Sequence, residues 1–408
     1  MSSQRLLASR RSTTQQHVVT SGRPHAVLLS GAVLMALLLM LSGCHRTRSA
    51  QTVTAGDTIP LRYAQNLTMV RFADGILVEL KDPWHEGRIL HRYWLTEDSN
   101  SKRSSLHTSL SSLHSPLSSI RFPLQRSVVF NTAHASLIGM LNATDRIAGV
   151  ADLKYMLLPD VQRRVQQGEI VDCGNSMSPD IEQIVSLHAD AILLSPFENS
   201  GGYGRLEKLG IPIIECADYM ETSPLGRAEW MRFYGLLFGC SQQADSLFSM
   251  VEHAYCALRD SVSTSAPLKI LTERLTGSTW YVPGGKSTVG RLIADAGATY
   301  AWADDDHSGS LALSFETVLS KSGNADVWLM NTSSSQPFTY ESLAAEHHGY
   351  TQFKAFRDRN IYFINTLQVP YFEEVSFRPD LLLRDYITML HPNPQHPPLR
   401  YFQKMHSQ

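Results

Sequence analysis

Cysteine is scarce in this chain, five among 408 residues, which excludes a fold held together by disulfides. The spacing of Cys173, Cys216, Cys240 and Cys256 matches no zinc-binding pattern. Cys173 and Cys216 each follow a predicted strand in the same half, which leaves a pairing open; buried free thiols are the simpler expectation. Charge of one sign is also lacking, with 36 lysines and arginines against 38 aspartates and glutamates. That balance gives no basic field for a polyanion, so nucleic acid is not an expected partner. No apolar run reaches the ~20 residues that a membrane helix needs. Missing as well are a Gly-x-Ser-x-Gly elbow, a dinucleotide fingerprint and a phosphate loop, for Val282-Pro-Gly-Gly-Lys-Ser287 lacks the first glycine at the required spacing. The chain is therefore expected not to be an enzyme and to need no cofactor.

What is present begins with the leader. Arg5, Arg10, Arg11 and Arg23 precede an apolar run over residues 27–41, and Leu41-Ser42-Gly43-Cys44 closes it. Basic, apolar, then small residues is the plan of an export signal. Leu-Ser-Gly-Cys resembles the lipobox of bacterial lipoproteins, which implies that residues 1–43 are removed and that Cys44 is acylated to anchor the protein to a membrane from the periplasmic side.

Beyond Cys44, residues 44–98 read as a polar tether and a small antiparallel β unit around Asp82-Pro83-Trp84. Residues 99–122 read as a linker, because ten of the 21 positions from 99 to 119 are serine and too little apolar surface is left to offset ordering entropy. From 123 to 224 strands at 127–131, 147–150, 191–194 and 211–215 alternate with helices, the pattern of a doubly wound parallel sheet. Residues 225–265 read as connecting helices; over 242–261, Leu247, Phe248, Val251, Tyr255 and Leu258 share one face. A second α/β lobe follows over 266–395, with strands at 268–271, 279–282 and 361–364 and a last helix at 380–390. The two lobes repeat each other. Residues 181–194 and 315–330 both run from an amphipathic helix through Ala-Asp into a buried strand, and align Glu182 with Glu316 and Asp190 with Asp326. The expected fold is α/β: two doubly wound parallel-sheet lobes, a long joining helix, and a ligand cleft between them.

The lipobox, two lobes and a helical brace together resemble the helix-linked substrate-binding proteins of ABC importers, the group that takes up cobalamin, ferric siderophores and haem. Residues 137–150, 178–190, 206–213 and 290–298 carry the likeness. The resemblance implies a monomer that captures a metal chelate and passes it to a permease and its ATPase subunits. It also implies that Glu182 and Glu316 dock on the permease. Ser178-Pro179 and Ser314-Phe315 each read as an N-cap and first helical residue, which places each glutamate in a solvated first turn. Aromatics near strand ends are the expected walls of the cleft: Tyr155, Phe197, Tyr203, Tyr219, Trp280, Tyr281, Trp302, Tyr371 and Phe372. His134 is the candidate axial ligand to iron or cobalt, and Arg378 meets a ligand carboxylate or organises the start of the last helix. The rival is a receptor for bare zinc or manganese, which needs three or four ligands from such residues as His134, His188, His307, His347 and His348.

Overall fold

The computed structural model describes residues 56–97, 117–198, 202–262 and 267–406. The leader, Cys44 and most of the serine-rich segment lie outside these. No helix among the described residues is long and apolar enough to cross a membrane.

The N-terminal β unit is larger than a hairpin. β1 (Asp57–Ile59), β2 (Leu67–Phe72), β3 (Gly75–Lys81) and β4 (Ile89–Thr96) form an antiparallel meander, and β5 (Leu117–Arg121) adds to β4 in parallel. The predicted linker over 99–122 thus ends in a strand whose Ile120 is fully buried. Serine-rich composition hid that strand, because pairing with β4 supplies order that the segment cannot generate alone.

In the first lobe the sheet order is β12 (Ile213–Glu215), β11 (Ala191–Leu194), β6 (Ser127–Val129), β7 (Ile147–Val150), β8 (Val171–Asp172), and every pairing is parallel. A two-residue hairpin, β9 (Gly174–Asn175) with β10 (Ser178–Pro179), sits just past β8. In the second lobe β13 (Lys269–Thr272) lies between β16 (Thr299–Tyr300) and β18 (Val327–Thr332), followed outward by β19 (Ile361–Asn365) in parallel and β20 (Gln403–Lys404) antiparallel. This lobe therefore runs past residue 395. The strand expected at 279–282 does not join the parallel sheet. As β15 (Thr279–Pro283) it pairs antiparallel with β14 (Leu275–Thr276) and β17 (Ser310–Leu313).

The sequence repeat has a structural counterpart. Asp190 precedes β11, and its carboxylate accepts the backbone N–H of Gln125 (2.7 Å) and Arg126 (2.9 Å) just before the neighbouring β6. Asp326 precedes β18 and accepts the N–H of Lys269 (2.9 Å) at the start of the neighbouring β13. In each lobe one aspartate satisfies the first donors of a parallel partner and so sets its register.

Three helices, Pro224–Glu229, Met231–Leu237 and Ser241–Asp260, join the lobes. Ala244, Phe248, Val251 and Tyr255 on the last are buried at helical spacing, and the Tyr255 hydroxyl donates to Asp295 of the second lobe (2.8 Å). The N-terminal sheet packs on the same helices. Glu229 is fully buried and accepts the N–H groups of Arg62 (2.9 Å), Tyr63 (2.7 Å) and Ala64 (2.9 Å). Glu221 does the same for Gln65 and Asn66, both at 2.9 Å. Burial pushes the Glu221 carboxyl above its ordinary value even though Trp230 and these amides favour the charged form.

Replacing Glu229 with alanine leaves three backbone donors without a partner. The expected cost is about 3 kcal/mol of unfolding free energy, read by denaturant titration, together with faster proteolysis of the N-terminal sheet. A stability unchanged within 0.5 kcal/mol, about the spread of a surface substitution, would mean that the clamp contributes nothing.

Candidate ligand cavity

A cavity of about 870 Å³ opens at the carboxyl edge of the first lobe's sheet. Its floor is the point where the chain leaves β6 and β11, adjacent parallel strands whose connections depart in opposite directions, the place where open α/β sheets bind ligands. Phe130, Asn131 and Thr132 come from the end of β6, Leu194 and Ser195 from the end of β11, and Asp152 from beyond β7. The second lobe closes one side with Tyr371, Phe372, Val375 and Ser376.

The walls are mainly apolar and unusually exposed. Tyr155, Met177, Phe197 and Phe372 line the cavity with 51 to 78% of their surface accessible. Large apolar groups gathered in one concavity instead of the core mark a ligand site. Asp152 accepts a hydrogen bond from the Ser176 hydroxyl. Two arginines also line the wall, Arg205 and Arg227.

Arg227 is aimed from behind. Its Nε donates to Asp218 Oδ2 (3.0 Å), while Asp218 Oδ1 meets His134 Nε2 (2.8 Å). Burial alone would raise the Asp218 carboxyl, but His134 and Arg227 outweigh it and hold it below the usual carboxylate range. Arg227 thus presents its guanidinium to the cavity from a fixed, charged anchor.

Of the aromatics expected in the cleft, Tyr155, Phe197, Tyr203, Tyr371 and Phe372 meet in the cavity. The others do not reach it. Tyr219 lies behind the wall, where its hydroxyl donates to the carbonyl of Pro196 and so props the loop carrying Phe197. Trp280 is fully buried against Trp328, with ring centroids 5.7 Å apart, and its indole N–H donates to the Thr272 carbonyl (3.0 Å). Tyr281, next on β15, points to the opposite, solvent face at 48% exposure, as strand alternation requires. Trp302 is buried beside Tyr300. Because β15 pairs antiparallel outside the main sheet, its residues never arrive at the carboxyl edge.

His134 also departs from expectation. It is the third residue of the Thr132–Met140 helix, which turns it inward to 1% exposure between Tyr234 and Phe377. Committed to Asp218, it braces the cavity from beneath and does not face a ligand. Arg378 forks onto Asp380 (2.9 and 2.8 Å) at the start of the Pro379–Leu390 helix, the organising role. His188 and His307 are exposed, and none of the five candidate histidines lines the cavity among the described residues. Cys173, Cys216, Cys240 and Cys256 are free thiols, and burial pushes the Cys173 thiol up to about 12. The cavity residues not anticipated from sequence include Met177, Arg205 and Arg227; Arg227 sits in a connecting helix, which sequence pattern places outside both lobes.

Glu182 and Glu316 both occupy the second position of a helix, exposed. The caps differ from the expected pair in the first lobe: Asp180 caps Ile181–Ser186, while Ser178–Pro179 forms β10. Ser314 caps Phe315–Ser322 as expected. The Glu316 carboxyl is held below its ordinary value by its own backbone N–H and by Ser314, so it stays charged.

Comparison with known proteins places this geometry. An uncharacterised lipoprotein of Methanocaldococcus jannaschii is 24% identical over 279 residues, taking in 66% of this chain and 66% of the relative, a little under two thirds of its length. A second uncharacterised lipoprotein of that organism is 24% identical over 269 residues, 63% of this chain and 67% of the relative. Among solved structures, a possible iron-binding periplasmic solute-binding protein from Staphylococcus epidermidis superposes with a TM-score of 0.51 at 18% identity, covering 65% of this chain and 98% of the other. A periplasmic haem-binding protein from Pseudomonas aeruginosa gives 0.53 at 14% identity, covering 70% and 99%. An Fe3+-hydroxamate transport protein from Saccharomonospora viridis gives 0.51 at 18%, covering 65% and 93%. These likenesses establish the shared two-lobed fold. The family model described as periplasmic binding protein matches residues 128–366, more than half of the sequence: the chain belongs to the periplasmic binding protein family.

Proposed function

We propose that this protein is the substrate-binding component of an ABC importer and that it captures a metal chelate, a ferric siderophore, cobalamin or haem, for delivery to an inner-membrane permease. The observation that carries this reading is the cavity itself. Its volume suits a ligand of many tens of atoms, exposed aromatics face it from both lobes, and two arginines stand ready for carboxylate or similar anionic groups. A bare zinc or manganese ion would need a compact set of hard or nitrogen ligands. Among the described residues Asp152 is the one carboxylate on the wall, and no group of three or more histidine, cysteine, aspartate or glutamate side chains is placed to hold a metal.

A direct link between the lobes supports capture with little closure. Glu373 of the second lobe, 2% exposed, accepts from the Thr132 hydroxyl and the Leu157 N–H of the first, both at 2.9 Å. Together with the helical brace, this favours a nearly preformed cleft.

Isothermal titration with haemin, ferrichrome and cyanocobalamin should show one of them binding at micromolar concentration or tighter. Phe197→Ala should weaken that binding about tenfold, or ~1.4 kcal/mol, the scale of one lost aromatic contact. Binding of zinc or manganese alone, with none of the three chelates, would overturn the reading.

The same reading assigns Glu182 and Glu316 to the permease, as exposed charges carried at equivalent helix starts on the two lobes. Changing both to alanine should leave chelate affinity within twofold while uptake by cells collapses, because rim charges govern encounter and register. Parallel loss of affinity would put these residues in ligand binding instead. Lipid anchoring at Cys44 belongs to this proposal too: Cys44→Ser should release the protein into the soluble periplasmic fraction, and a variant still in the membrane would refute the anchor.

A further inference from the structure

The N-terminal sheet lies outside the residues matched by the family model, yet it reaches the cavity through a single buried carboxylate. Glu215 ends β12 and is 8% exposed. On one side its Oε1 accepts the hydroxyl of Tyr203 (2.6 Å), a cavity-wall residue. On the other side stand two residues of β4. The Tyr93 hydroxyl accepts the Glu215 backbone N–H (2.9 Å). His91 Nδ1 lies 3.0 Å from Glu215 Oε2, an ion-pair distance without the alignment of a hydrogen bond. His91 is itself stacked flat on Tyr93, with ring centroids 4.4 Å apart and planes 9° apart, and its Nε2 meets the Ser118 hydroxyl of β5 (2.9 Å). Both sides of the carboxylate are therefore occupied by groups from different parts of the chain.

Tyr203 has need of such an anchor. Its neighbours Gly202 and Gly204 have no side chain to pack, and they take φ of +94° and +59°, a region that glycine enters freely, so the backbone here has little intrinsic preference. Besides Glu215, its polar contacts are made by the main chain, from its N–H to Glu207 Oε1 (2.6 Å) and from the Leu206 N–H to its carbonyl (3.1 Å), and these do not hold the ring. The ring packs on the apolar cluster that includes Phe130 and Leu206, a contact without direction, and the hydroxyl's bond to Glu215 supplies the directional constraint on the phenol.

We propose that the N-terminal sheet is a positioning element of the ligand cavity: Tyr93 and His91 hold Glu215, and Glu215 holds the Tyr203 ring at the cavity wall. The proposal deepens the ligand-binding reading above and rests on this cavity being the ligand site. It makes the sheet part of what determines affinity, although no residue of β1 to β5 lines the cavity.

The test uses the full chain and two readouts. With 3-fluorotyrosine installed at position 203, the fluorine resonance of the ligand-free protein should shift or broaden on His91→Ala and on Tyr93→Phe. It should move at least as far in Glu215→Leu, which removes the acceptor of the hydroxyl. Titration of haemin and ferrichrome should then show Tyr203→Phe and His91→Ala each weakening the bound probe about fivefold, with the double variant no weaker than Tyr203→Phe alone, the signature of one shared path. A fluorine signal indifferent to both β4 substitutions, or losses of affinity that multiply, would overturn the proposal even if His91→Ala lowers the melting temperature. If neither probe binds the wild type, cyanocobalamin takes their place; binding of none of the three counts against the metal-chelate reading, and the fluorine signal alone then decides whether the sheet positions Tyr203.

Discussion

Four carboxylates between Glu215 and Glu229 are buried to 8% exposure or less, and much of the molecule is arranged to satisfy them. A carboxylate withdrawn from water without partners costs several kcal/mol, so each recruits donors from elsewhere. Glu215 takes a hydroxyl from the cavity wall, Asp218 takes His134 and Arg227, Glu221 takes two backbone amides and the Trp230 indole, and Glu229 takes three amides. The donors come from the N-terminal segment, the first lobe and the connecting helices. Desolvated charge thus joins three parts of the chain along one short stretch. Asp385 docks the C-terminal segment in the same manner, through the amides of Arg400, Tyr401 and Phe402.

The two lobes share a plan and have diverged in use. Asp190 and Asp326 clip the neighbouring parallel strand at equivalent positions, and Glu182 and Glu316 stand at equivalent helix starts. The cavity is nonetheless built mostly from the first lobe. In the second, β14, β15 and β17 form a separate antiparallel sheet whose Trp280 packs with Trp328 and Phe353 in the core. Aromatic surface that could have faced a ligand is spent on folding there, and the short Tyr371–Glu374 helix with the two residues after it supplies that lobe's contribution to the wall.

The cavity pairs apolar breadth with localised positive charge. Phe197, Tyr155 and Phe372 offer flat surface with few hydrogen-bonding demands, while Arg227 is already ordered by its bond to Asp218. The His134–Asp218 contact lies under the wall and keeps that arginine in place. A histidine that sequence position marks as a metal ligand is here a structural brace.

Local pattern was enough to determine the central strands of both parallel sheets, the internal repeat, the N-cap at Ser314 and the helical face Phe248, Val251, Tyr255. Periodicity and capping depend on neighbours a few residues away, so they are legible in one dimension. Of the nine aromatics expected in the cleft, the five that line the cavity follow strands or open short helices, positions legible for the same reason. What only the tertiary structure decided depends on partners far along the chain: β5 inside a serine-rich segment became a strand by pairing with β4, β15 left the main sheet by pairing with β17, and Arg227 in a connecting helix became a wall of the cavity. The burial of the acidic residues at 215, 218, 221 and 229 leaves no local signal in the sequence, because the donors that permit it lie as far as 167 positions away, and a carboxylate's place is set by which donors meet it in space.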